Sequence, residues 1–117
     1  MTILLETISL PEHGTYGLNF KQTITIQIPA IQARRKVSVF VGNHIGDLLH
    51  GDTPNLAICS YGVFWRVPVI LSSATHGKIG MVGTIDVDVN TGKFMMNDRI
   101  IAEIEANAQR FATRAAL

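Results

Sequence analysis

Polar and apolar residues alternate strictly along Thr23-Ile24-Thr25-Ile26-Gln27-Ile28. This is the period of a half-buried strand, and Pro29 ends it. The period then lengthens: Ala33, Val37, Phe40, Val41, His44, Ile45 and Leu48 recur at three- and four-residue steps. They predict a long helix from Ala30 to His50, stopped by Gly51-Asp52. Val37 to Val41 alone would pass as a strand, but the longer periodicity outweighs it. Gly42 and Gly46 lie four apart on that helix, where each costs about 1 kcal/mol relative to alanine and invites a close packing contact. Beyond it, Leu56 to Ser60 and Val63 to Leu71 are apolar runs around Tyr61-Gly62, a hairpin signal. Met81 to Val89 reads as the next strand, and Asn90-Thr91-Gly92 fits a three-residue loop leading to Lys93 to Met96. Asn97 or Asp98 can cap a last helix carrying the stripe Ile101, Ile104, Ala108, Phe111 and Ala115. Residues 1–22 read as either an N-terminal arm or a strand, with Ile3 to Leu10 strand-like and Pro11-Glu12-His13-Gly14 as turn material.

The turns fix a register. A loop centred near His76 sets Trp65 opposite Val87, Val67 opposite Ile85 and Leu71 opposite Met81, all on one face. The Tyr61-Gly62 hairpin adds Leu56, Ile58 and Val63 to that face, where the long helix is expected to pack. On the other face Arg66 stands opposite Asp86 and diagonal to Asp88. Phe64, Pro68, Ile70, Val82, Phe94 and Met96 are expected there too, and a monomer rarely leaves such a patch wet. A second subunit, the N-terminal segment or a ligand would cover it, in that order of preference, since symmetric homodimers are the commonest small assemblies. Phe64, Arg66, Pro68, Asp86, Asp88 and Phe94 are therefore the candidate interaction face. Pro68 lacks an amide hydrogen, so it belongs at an edge, a bulge or an outward-facing amide site.

Composition narrows the classes. The 117 residues suit a single α+β domain, 1–117, and 10 Lys and Arg against 9 Asp and Glu give no long-range field for nucleic acid. Arg34-Arg35-Lys36 is the one dense basic run, and it reads as the solvated first turns of a helix. One cysteine excludes an intrachain disulfide framework, and Met1 to Glu6 lacks the look of a signal peptide. A cytoplasmic protein with no membrane span is expected.

Candidate chemistry adds little. Asp86-x-Asp88-x-Asn90-x-Gly92 has an acidic alternation, but its glycine is seventh and Asn97 twelfth, where a calcium loop needs glycine sixth and glutamate twelfth. His44, Asp47 and His50 are three apart, which turns the two histidines about 120° from each other around a helix. Cys59 has no motif that supplies a base. Gly77 to Gly83 is followed by a strand, not by the helix N-terminus a phosphate loop requires. No catalytic residue, metal or cofactor is expected.

Ile85-Asp86-Val87-Asp88-Val89-Asn90-Thr91-Gly92-Lys93 resembles the strand-turn-strand ending of PepSY-like domains, in which a valine-aspartate pair precedes a threonine-glycine turn. The likeness covers Trp65 to Met96. With Ala33 to Val37 and Trp65-Arg66-Val67-Pro68-Val69, the pattern is also similar to a family of small uncharacterised prokaryotic proteins. The resemblance implies a small α+β unit that binds or inhibits other proteins, and it brings no catalytic residue.

The expectation is thus an α+β domain with a mainly antiparallel sheet, a long helix across one face and a C-terminal helix. It would act as a non-enzymatic protein-interaction or regulatory module, as a homodimer or with another protein partner. The alternative is a small-molecule binder or enzyme with a pocket between helix and sheet, near His44 and Cys59.

Overall fold

In the computed structural model, which describes residues 1–116, two long strands carry the architecture. β1 (Ile3–Leu5), α1 (Ala30–His44), β2 (Leu49–Gly51), β3 (Asn55–Cys59), β4 (Gly62–Ser73), β5 (Gly77–Asp88), β6 (Phe94–Met95) and α2 (Asp98–Arg114) follow in order. The six strands form one open sheet, β1-β3-β4-β5-β6, with β2 also on β4. All pairings are antiparallel except β1 with β3.

The expected register holds along the middle of the β4-β5 hairpin. Trp65 faces Val87, Arg66 faces Asp86 and Val67 faces Ile85. Two register shifts follow, after Val69 and after Leu71, so Leu71 meets Gly80 and not Met81. A bulge places two successive residues on nearly the same side. Val82 is thereby turned into the main core, 1% exposed, and not onto the second face expected for it.

β4 is flanked on one edge by β3 over Gly62 to Arg66 and then by β2 over Val69 to Leu71. Pro68 sits in the gap between them. Its carbonyl accepts from Asp52 N at 2.8 Å, and the missing amide hydrogen costs no ladder bond there.

The expected helix to His50 is cut short. α1 ends at His44 with Ile45 N and Gly46 N both donating to Val41 O, and Leu49-His50-Gly51 becomes a strand. Gly42 weakens the last turn and Gly46 lies just beyond it; a Cβ on either would stand 3.7–3.8 Å from Leu49, ordinary contact, so neither marks the close approach expected there. Gly51 is where β2 comes closest to α1: a Cβ there would stand 3.0 Å from Arg34 O and 3.0 Å from Val67 Cγ1. Gly51 N donates to Ser38 Oγ and Arg34 Nε donates to Gly51 O, so the approach is hydrogen-bonded.

Thr23 to Ile28 forms no ladder. Gln27 N and Ile28 N both donate to Val89 O, and Ile28 O accepts from the Trp65 indole at 2.7 Å. Ile24 packs against the main core, whereas Ile26 stays exposed. The segment has strand periodicity without a partner strand.

α1 and α2 pack on the same side of the sheet. Ala33, Val37, Val41, Trp65, Val67, Val69, Val82, Ile85, Val87 and Ile104 join one continuous core. Asn97 caps α2, its side-chain oxygen accepting from Ile100 N at 2.9 Å, as expected for this residue type. α2 lies so close to β5 that a Cβ on Gly83 would meet Ile104 Cγ1 at 2.8 Å. Among the described residues no helix is long and apolar enough to cross a membrane.

Candidate interaction surface

The second face of the sheet begins with the alternation of β3 and β4, which points Ala57, Cys59, Phe64 and Arg66 away from the helices. These apolar side chains are buried within the single chain: Ala57, Cys59 and Phe64 form a small cluster against which Leu4 packs. β1 makes that possible. Leu4 lies beside Ala57 in parallel register, and Glu6 N donates to Ile58 O, one step beyond the strand. The N-terminal segment thus covers part of the patch for which a second subunit was the first choice. Tyr61 closes over Phe64 with ring centroids 5.4 Å apart.

Arg66 is the polar centre of this face. Its Nε and Nη2 donate to the two carboxylate oxygens of Asp86, each at 2.9 Å, a planar fork that suits guanidinium. Nη1 and Nη2 also donate to Glu6. The carboxyl of Glu6 is held below its usual pKa, first by the Arg66 hydrogen bond and then by the Cys59 thiol, which donates to Oε2 at 3.4 Å. The bonds to Asp86, then Glu6, push the Arg66 pKa further up. Burial raises the Cys59 thiol, the opposite of what a nucleophile needs. Arg66, Asp86 and Glu6 therefore serve one another as a clamp between β1, β4 and β5.

The remaining expected site residues separate. Phe64, Arg66, Pro68, Asp86 and Asp88 share the second face, but Asp88 turns to its own loop. Its Oδ1 accepts from Asn90 N at 2.7 Å and Thr91 N at 3.0 Å, and these bonds lower its pKa. It is not a partner of Arg66. Phe94 is on the opposite side: it pairs with Val87, packs against the main core, and meets Phe40 edge-on at 5.4 Å. Met96 also packs against the main core. The hairpin closes with Asp88 N donating to Lys93 O, one residue off the expected register, and a one-residue slip moves every following side chain to the other face. Gly92, at φ +75°, takes the left-handed turn position that glycine adopts without strain.

The other candidates resolve into structural roles. Within the basic run, Arg34 lies 3.8 Å from Asp52, while Lys36 donates to Gly92 O and sits 5.5 Å from the Phe94 ring centre. His44 stacks against Phe40 at 4.8 Å, and His50 shares a 2.8 Å hydrogen bond with Ser72. Among the described residues no three His, Cys, Asp or Glu side chains converge as metal ligands. His44 and Cys59 belong to opposite sides of the sheet, so a pocket between them does not form.

Two features escaped the sequence reading. One is the long loop from Thr7 to Ile26, pinned at Glu6 to β3 and at Gln27 to Val89. Ile58 pairs with Val63, Val63 O accepts from Val89 N, and Val89 O accepts from Gln27 N, so the two ends are up to four strand spacings, roughly 19 Å, apart. The radius of gyration, 16.2 Å, exceeds the roughly 13 Å of a compact chain this long, as a protruding loop requires. Every residue from Glu6 to Thr23 is exposed, including Ile8, Leu10, Tyr16 (44%), Leu18 (59%) and Phe20 (48%). The signal was present as apolar residues among turn formers, without a period. The other feature is a shallow apolar groove of about 450 Å³ on the outer side of α1, between Val39, Phe40, Phe94 and the stems of Arg35 and Lys36.

Comparison with protein-family models, curated proteins and solved structures found no match to this chain.

Proposed function

We propose that this chain is a non-enzymatic protein-interaction module, working in the cytoplasm and assembling as a homodimer. The observation that carries the reading is the distribution of exposed apolar side chains. Eight of the fourteen exposed large apolar residues among those described fall in the first 26 positions, and six of them lie on the Thr7 to Ile26 loop, five between Ile8 and Phe20. Loops longer than about 12–15 residues without secondary structure are usually functional or linkers, and this one is tied at both ends. Ordered burial of that surface needs a partner. The polar groups best suited to chemistry, Arg66, Glu6, Asp86 and Cys59, satisfy one another, which supports binding over catalysis. The resemblance to PepSY-like domains points the same way.

Size-exclusion chromatography with light scattering tests this reading. The full chain is expected to run at about twice 12.8 kDa, and the Leu18→Asp/Phe20→Asp variant at 12.8 kDa with an unchanged circular dichroism spectrum. A parent chain that stays at 12.8 kDa would overturn the dimer.

A further inference from the structure

The groove on α1 and the loop both leave apolar side chains exposed, and each offers what the other could bury. α1 contains Arg34, Arg35 and Lys36 and no acidic residue. Arg34 and Lys36 are engaged within the chain, which leaves Arg35 at the groove rim without an ion-pair partner among the described residues. The loop carries one acid, Glu12, between Leu10 and Tyr16, and one base, Lys21, after Phe20, so the pairing with Arg35 rests on Glu12 alone and not on net charge. Its aromatic residues, Tyr16 and Phe20, match a groove floored by Phe40 and Phe94, where edge-to-face contacts are favourable.

Resting on the reading of the chain as a self-associating module, we infer that the Thr7 to Ile26 loop of one copy occupies the α1 groove of a second copy, reciprocally. A loop of this length, held at both ends, reaches about 30 Å from the sheet at 3.3–3.6 Å per residue. That is a large part of the 49 Å long dimension of the molecule, sufficient to cross to a neighbour. Five loop side chains, each about half exposed, offer on the order of 450 Å². Two loops with their receiving surfaces then bury roughly 1,800 Å², within the range of a stable interface of about 1,200–2,000 Å². In the single chain Val39 remains 57% exposed, so the groove is not filled by its own loop.

Cross-linking separates this geometry from dimerisation in general. A chain carrying Phe20→Cys is mixed with a mass-labelled chain carrying Val39→Cys; the native Cys59 is buried. The expected product under mild oxidation is the mixed covalent dimer joining Cys at 20 to Cys at 39. Absence of that product while the parent is dimeric would overturn the groove assignment and leave the dimer standing. A bond within one chain of the doubly substituted protein, persisting on dilution with a monomeric mass, would overturn it in favour of a loop folding back on itself. Two further variants give an independent reading. Val39→Asp is expected to weaken dimerisation at least about tenfold. Glu12→Lys and Arg35→Glu should each weaken it about two- to fivefold and restore it when combined. Failure of the combination to restore affinity, with undiminished dimerisation of Val39→Asp, contradicts the groove. A parent that is monomeric at every concentration contradicts the underlying reading.

Discussion

Replacing Arg66 by methionine removes the centre of the second face while keeping its volume. The side chain is 20% exposed and that of Asp86 is 14% exposed, so the substitution leaves a largely buried carboxylate without its two charge-assisted hydrogen bonds. Breaking a fully buried pair this way costs about 3–5 kcal/mol, and hydrogen bonds to charged groups contribute about 1.5–3 kcal/mol. The partial exposure lets water reach Asp86, which puts the expected loss at about 2–3 kcal/mol. For a chain of this length that is roughly a 10 °C fall in Tm. Glu6 is 41% exposed at its side chain and returns to solvent at little cost. Substituting both members, Arg66→Met with Asp86→Ile, removes the orphaned charge and is expected to recover at least half of the loss. The assay is urea unfolding followed by the fluorescence of Trp65, comparing midpoints at equal m. A single variant that loses less than about 0.5 kcal/mol refutes the clamp. So does a double variant less stable than the single one.

Three other outcomes test separate links. Gly83→Val would force a side chain against Ile104, which packs where the Cβ would stand, and should cost about 1–3 kcal/mol and loosen α2; unchanged amide protection along Asp98–Arg114 would contradict that packing. The Glu6 carboxyl has a lowered folded pKa, so its stabilisation is full above its ordinary pKa and is lost as pH falls through the folded value. Glu6→Gln should therefore flatten the acid limb of stability as pH falls below the ordinary glutamate range, and an equal fall in parent and variant would dismiss the assignment. Trp65→Phe orphans Ile28 O and should raise hydrogen exchange at Gln27 and Ile28 before it affects the helices; unaltered exchange there would show that the indole does not pin the segment.

The sequence was most readable where local pattern and final partner agree. Trp65, Val67, Ile85 and Val87 alternate in both strands of one hairpin, so the register between them follows from side-chain period. Asn97 caps α2 through contacts three residues away, which makes that boundary local as well. The misread elements depend on distant partners. Leu48 continues a helical stripe, but the open edge of β4 beyond Pro68 takes Leu49 to Gly51 as a strand. Thr23 to Ile28 has the right alternation, yet its amides find Val89 O and the Trp65 indole in place of a ladder. Val82 and Phe94 changed sides through a bulge and a one-residue hairpin slip, neither of which alters composition or periodicity. Of the candidate face, Arg66 with Asp86 was legible as a cross-strand pair. Glu6 was not, since 60 residues separate it from Arg66 and only the parallel pairing of β1 brings it there.

The central claim is that the exposed loop serves association between copies of the chain. Sedimentation equilibrium of the unmodified protein across about 1–100 μM, the weak end of the affinities that interfaces of this size span, tests it most directly. The account predicts a weight-average mass rising from 12.8 kDa towards twice that value, with the rise abolished by Leu18→Asp/Phe20→Asp. A mass that remains at 12.8 kDa throughout, or a rise that the loop substitutions leave intact, would contradict it.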